Sequence, residues 1–368
     1  MYDMPQKKRR NQWYYLIIIA LVLFTVLAIV MPSLASKKAA LSASLLPCST
    51  ADDIRAFGQN IVYYDGATIH CVNTLGKELW AFTIGEGADF YAGSTAVAAW
   101  SGKQIYLLGS DGKSTYNDML DDTIQFARVG ESYLAIVTGS EFEATLLIKD
   151  LEGNHVDSET TAFDGTLLLD CGFFGSQRDY LWTLSLDVDT TVIETVLSTF
   201  QAGKMTTGTA YLGEYIPYFV YEEDNQIKLI DTRSLRVFSQ NCAENTGASR
   251  LLYGWQLIDS RRAQKGRALL LAPSGTNTMG YTVTELRLIY SGNDRRLSLP
   301  SECHGSMLSE SAVYGVSPTL LYRCGINENK FTAYALPLEG SCTGFICALD
   351  GGACVIAVGS RAFCLTLP

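Results

Sequence analysis

The sequence predicts an all-β chain: a β-propeller of seven or eight four-stranded blades, eight favoured by its strand rhythm, preceded by one N-terminal transmembrane helix. Three observations predict it. Beyond residue 52, short β-branched and aromatic runs alternate with turn signals about every 8–12 residues, with no helical periodicity between them. A longer period of about 40 residues groups these runs in fours, the size of a propeller blade. At the start of the chain, a basic cluster precedes a long uncharged apolar run.

The N-terminus comes first. Lys7, Lys8, Arg9 and Arg10 are followed by a stretch from Asn11 to Ser36 with no charged side chain. After the leading Trp13, Tyr14 and Tyr15, the core to Met31 holds one polar side chain, Thr25. As a helix, residues 13–31 would span about 28 Å, close to the hydrocarbon thickness of a bilayer. The aromatic trio sits at the interfacial belt, and Pro32 ends the helix. The core is longer than the apolar region of a cleaved signal peptide, which favours an uncleaved anchor. Four positive charges precede the span and two, Lys37 and Lys38, follow it. The expected topology is therefore a cytoplasmic tail (1–12), a helix (13–31), a linker (32–51) and an extracytoplasmic propeller (52–368) in the plasma membrane.

Charge bounds the partners of the outer domain. The whole chain has 28 basic and 38 acidic residues; after Lys38 the balance is 22 to 37, a net −15. Such a surface repels nucleic acid and anionic headgroups, so nucleic acid is excluded as a partner.

The blades follow in order. The first reads Ile54–Phe57, Ile61–Tyr64, Thr68–Val72 and Leu79–Thr83; the second reads Phe90–Gly93, Ala96–Trp100, Gln104–Leu108 and Ser114–Asn117. The turn between third and fourth strands is placed at Gly76-Lys77, Gly112-Lys113, Gly153-Asn154, Gly203-Lys204, Thr232-Arg233, Gly292-Asn293 and Gly325-Ile326. The last stretch, from Thr343, offers only three strands. A fourth from elsewhere, the segment just before Ile54, would close the ring and remove its exposed edges. A pair of sandwiches or a β-solenoid are the competing folds.

One turn recurs with an aromatic four residues after its glycine: Gly76-Lys77 with Trp80, then Gly112-Lys113 with Tyr116. The glycine supplies the turn geometry, the lysine is a soluble turn residue, and the aromatic is expected to pack on the neighbouring blade. The stretch VNTLGKELW resembles the tryptophan-docking repeat of the quinoprotein-type (PQQ-like) β-propellers, with Asn73, Gly76, Lys77 and Trp80 in the motif positions. GSDGKSTY resembles a degraded copy in which Tyr116 replaces Trp. The layout is similar to that of membrane-anchored bacterial propeller proteins.

The resemblance would imply a quinone cofactor only if the rest of that site were present. Those enzymes use a vicinal disulfide, a calcium ion and a catalytic Asp, and no Cys-Cys dipeptide occurs here. His70, His155 and His304 form no metal-binding spacing. Asp187–Thr191 and Glu222–Asn225 lack a full calcium-ligand run and read as hairpin turns. No catalytic residue, metal or cofactor is expected.

Six of the ten cysteines fall in the last 66 residues. A two-residue turn at Asp350-Gly351 would set Cys347 opposite Cys354, a candidate disulfide in an oxidising compartment. The alternative is that the thiols are small buried hydrophobes. The expected function is a non-catalytic scaffold for a protein or cell-envelope partner, with a ligand-sensing ectodomain and a propeller enzyme as the competing readings.

Overall fold

The computed structural model describes residues 41–174, 180–188, 191–204, 206–275 and 282–368. The ring occupies Ser42–Leu367. The span 13–31 lies outside the described residues, among which no helix is long and apolar enough to cross a membrane.

Eight four-stranded antiparallel sheets follow one another along the chain. Blade 1 is Asp53–Phe57, Asn60–Tyr64, Thr68–Val72 and Glu78–Thr83; blade 2 is Asp89–Ala92, Ala96–Ser101, Gln104–Gly109 and Ser114–Met119. Blade 3 runs from Ile124–Val129 to His155–Glu159, blade 4 from Thr166–Phe174 to Thr206–Tyr211, and blade 5 from Phe219–Glu223 to Arg250–Leu251. Blade 6 runs from Trp255–Ala263 to Asn293–Cys303, and blade 7 from Gly305–Leu308 to Thr332–Ala335. In blade 8 the chain supplies Cys342–Leu349, Ala353–Val358 and Arg361–Thr366. The fourth strand is Ala43–Ser49, antiparallel to the last one with Ala43 opposite Leu365. The domain bounds put these residues in the linker, while the three-stranded last blade called for a closing strand just before Ile54; the structure bears out that closure and places the strand at Ala43–Ser49.

Burial explains the sequence pattern. Each sheet is covered on both faces by neighbouring blades, so its middle strands are apolar on both sides: Ala96–Trp100 and Ala312–Val316 are buried at every residue. Outer strands meet solvent and alternate, as in Ser114–Met119. The core is a set of clusters between blades. One of them joins Phe57, Val62, Ile69 and Cys71 of blade 1 to Phe90, Val97, Ala99 and Leu108 of blade 2.

Two local readings change and one, the turn at Glu222–Asn225, holds. In blade 5, Thr232-Arg233 connects the second and third strands, and the outer turn is Gln240–Ala243. Cys242 takes the place that glycine holds in the turns of blades 1 and 2, with φ +59. Glu222–Asn225 is a hairpin turn with Asp224 and Asn225 both at positive φ and Glu223 opposite Gln226. In blade 8 the turn after Leu349 has three residues, since Leu349 pairs with Ala353. That extra residue moves the register by one, so Cys347 faces Val355 and Cys354 faces Ala348. The two sulfurs then point to opposite faces of the sheet, and both thiols are free.

Candidate functional site

The repeated turn is a docking device between blades. Asn73 Oδ1 accepts from the Leu75 and Lys77 amides, both at 3.0 Å, which fixes the turn. In the second copy Asp111 Oδ1 takes over, accepting from the Lys113 amide at 3.1 Å. Lys77 and Lys113 are exposed. Trp80 is 9% exposed, and its indole N–H donates to the Ser110 carbonyl of blade 2 at 3.0 Å. Its ring lies on Gly112, where a Cβ would stand 2.5 Å from Trp80 Cγ. Tyr116 lies in the same way on Gly153 of blade 3, and its hydroxyl donates to Asp118 Oδ2 at 2.9 Å. Gly76 receives the closing strand, its Cβ position 2.7 Å from the Leu45 carbonyl oxygen. The glycine therefore does two things: it takes positive φ, +77 at Gly76 and +76 at Gly112, and it leaves a bare surface for the preceding blade.

The central channel carries a second set of contacts that the sequence reading missed. Inner strands carry charges within apolar runs, and these join one blade to another around the channel. Arg55 pairs with Asp53 at 2.7 Å and reaches Asp89 of blade 2 at 3.7 Å. Arg128 of blade 3 pairs with Asp170 of blade 4 at 2.8 Å and lies over the Tyr91 ring of blade 2. Arg261 of blade 6 donates to Asp350 at 2.6 Å and to the Ala348 carbonyl at 3.0 Å, both in blade 8. Asp259 Oδ2 accepts from the Leu308 amide of blade 7 at 2.6 Å, and burial raises its carboxyl above the ordinary carboxylate range. The signal in the sequence was a charged residue where strand periodicity calls for an apolar one, as in DIRAF and WQLIDSRRA.

Chemistry is sparse elsewhere. His70 contacts Glu78 Oε2 through Nδ1 at 2.9 Å and Asp65 Oδ2 through Nε2 at 3.1 Å, and stacks on Tyr63. His155 is exposed beside its turn. Among the described residues no group of three or more His, Cys, Asp or Glu is placed to hold a metal ion. Burial pushes the thiols up, Cys48 and Cys364 to about 11 and Cys347 to about 12, so they stay protonated and unreactive at neutral pH.

One end of the ring is apolar on its surface. Strands run antiparallel, so connections from second to third strands and from one blade to the next share an end. There, around blades 4–6, Leu251 is 79% and Tyr253 81% exposed, with Ile193, Ile216 and Tyr218 also on the surface. The segments are tied together: the Leu252 amide donates to the Arg233 carbonyl, and the Tyr218 hydroxyl accepts from the Leu257 amide at 2.9 Å.

Fold and geometry define an eight-bladed β-propeller. No protein family matches the sequence, and no curated protein sequence matches it. Solved structures do share the fold. BamB from Moraxella catarrhalis is similar over 89% of this chain and 98% of its own, with 11% identity and a TM-score of 0.51. The WD40 domain of SCAP from fission yeast (9% identity, 89% and 98% coverage) and Sqt1 of Saccharomyces cerevisiae (10%, 89% and 100%) each give 0.56.

Proposed function

We propose that the protein is a non-catalytic scaffold that binds a protein or cell-envelope partner through the apolar end of blades 4–6. In this reading, residues 13–31 anchor it in the plasma membrane with the ring outside, and its seams follow the PQQ-like docking repeat. The carrying observation is the exposure of Leu251 and Tyr253 beside Ile216 and Tyr218. Large side chains left in water at adjoining loops mark an interaction surface when they cluster. A rigid ring with loops at its ends suits recognition.

The test uses the full-length chain in its own membranes, with a photo-crosslinking residue at Tyr253 or at Lys77 on the opposite end. Position 253 should label one discrete partner and position 77 none. Leu251→Ser with Tyr253→Ser should abolish co-purification while leaving the unfolding midpoint near that of wild type. Equal labelling from both ends, or a partner retained by the double variant, removes this reading. A reporter fused after Pro368 should be cleaved by protease added to intact cells; protection until lysis would reverse the topology.

A further inference from the structure

The ring is acidic, yet one cleft in it is not. Between blades 5 and 6 lies a cavity of about 720 Å³, the size of a small-molecule site. It is lined by Lys228, Arg250, Lys265 and Arg267 against Glu223 and Asp224. Lys228 and Glu223 neutralise each other at 2.5 Å. Glu223 is also held by the Arg267 amide.

The remaining cations make no ion pair among the described residues. Arg267 has its guanidinium against the Ser260 hydroxyl at 3.2 Å and over the Tyr221 ring, 5.3 Å from its centroid. Among the described residues no carboxylate forms an ion pair with Arg267, Arg250 or Lys265. Burial lowers the Arg267 pKa against the opposing pull of Tyr221, Glu222 and Glu223, and Arg262 adds repulsion from the channel side. A guanidinium drawn partly out of water without a direct ion pair is costly, and an oxyanion delivered to it would recover charge-assisted hydrogen bonds.

We propose that this cleft is a binding site for a small multivalent oxyanion, phosphate- or carboxylate-bearing, gripped by Arg267 and Arg250 with Lys265 at the rim. Arg267 forms the floor, because it lines both the cleft and the channel. The contacts are ionic, so affinity falls as salt rises.

Isothermal titration of pyrophosphate, and separately of citrate, into the full-length chain in detergent tests this. At least one probe should bind saturably at one site per chain, and Arg267→Gln and Arg250→Gln should each weaken it tenfold or more. Tighter pyrophosphate assigns a phosphoryl ligand and tighter citrate a polycarboxylate; both support the site. Arg262→Gln, on the channel side, should change affinity less than threefold. The proposal is overturned by three results: no saturable binding of either probe at millimolar concentration, unchanged affinity in the Arg250 variant, or an equal loss in the Arg262 variant. Should Arg267→Gln fail to fold, Arg250→Gln and the exposed Lys265→Gln carry the test.

Discussion

At the junction of blades 1 and 2, the outer strand delivers an indole: Trp80 covers Gly112 and donates to the Ser110 carbonyl. At the junction of blades 4 and 5, the same place in the turn, the Gln240 carbonyl, receives the Thr199 hydroxyl at 2.7 Å and the Thr207 hydroxyl at 3.5 Å. Gly208 of the outer strand lies against Asn241, with no room for a Cβ between them. The bare surface has moved from the turn to the strand, and the turn residue is Cys242. The backbone bonds match: Cys242 N–H donates to Ser239 O at 3.0 Å, as Gly76 N–H does to Asn73 O at 2.9 Å. Docking between blades thus needs close backbone approach and one donor to a turn carbonyl. An aromatic is one way to supply them.

The two regions also differ inside. The second strand of blade 2 is apolar from Ala96 to Trp100, AVAAW, whereas blade 4 buries Thr183, Ser185, Thr195, Ser198 and Thr199. The hydroxyls of Thr183 and Thr195 have no hydrogen-bond partner among the described residues. Orphaned polar groups oppose folding by about 1–3 kcal/mol each, so blade 4 is the weaker member.

The comparison breaks most visibly if the ring is opened. Deleting residues 343–368 removes three strands of blade 8 and strands Ala43–Ser49 without a neighbour. The truncated chain should show no cooperative urea transition; a sharp, near-native one would mean that blades stack independently.

Trp80→Ala comes next, with an expected loss of about 3–5 kcal/mol. Trp80→Tyr should fall between, since Tyr116 fills the equivalent place. Gly112→Ala should also be severe, through its positive φ and its collision with the indole. Combining Gly112→Ala with Trp80→Ala should leave only the backbone cost, about 1–2 kcal/mol beyond Trp80→Ala alone. Strict additivity in that double-mutant cycle would separate the two residues and undo the seam.

The threonines of blade 4 sharpen the contrast with opposite signs. Thr199→Val, which loses a partnered hydroxyl, should cost about 1 kcal/mol, while Thr183→Val, which loses an orphan, should be neutral or stabilising by about as much. Equal losses at both would refute the account of blade 4.

Asp259 adds a pH dependence. Its folded pKa is raised, so the folded state holds a proton that the unfolded chain releases first. Stability from this group is therefore greatest below the ordinary carboxylate value and declines as pH rises toward the folded one. Urea midpoints across that window should show the decline in wild type and a flatter profile in Asp259→Asn; identical profiles count against the buried carboxyl. Smallest of all is Lys77→Ala, where the side chain is exposed and the midpoint should move by no more than about 0.5 kcal/mol.

Much of the ring is legible in the chain because the signals are local. A positive-φ turn asks for glycine, a sheet covered on both faces asks for continuous apolar strands, and both recur at blade spacing. Trp80 could be read for the same reason, as a large aromatic at a fixed step from a glycine. What could not be read depends on residues far apart. That a closing strand precedes Ile54 follows from the missing fourth strand of the last blade, but the bounds Ala43–Ser49 could not be read, because their partner lies more than 300 residues away. The register at Cys347 turned on one residue in a three-residue loop, which no periodicity marks. Arg128 with Asp170, and Arg261 with Asp350, are ordinary charges until ring closure brings the inner strands together.

The sequence by itself determined an all-β ring of about eight blades, the turns with glycine at positive φ, and the aromatic that follows two of them. Each follows from steric or burial rules acting within a few residues. Only the tertiary structure decided which residues of the closing segment pair with the last strand, where Cys242 replaces a glycine, and that a cationic cleft opens between blades 5 and 6. Those outcomes come from distances across the ring, where charge and packing are set by neighbours the local sequence does not contain.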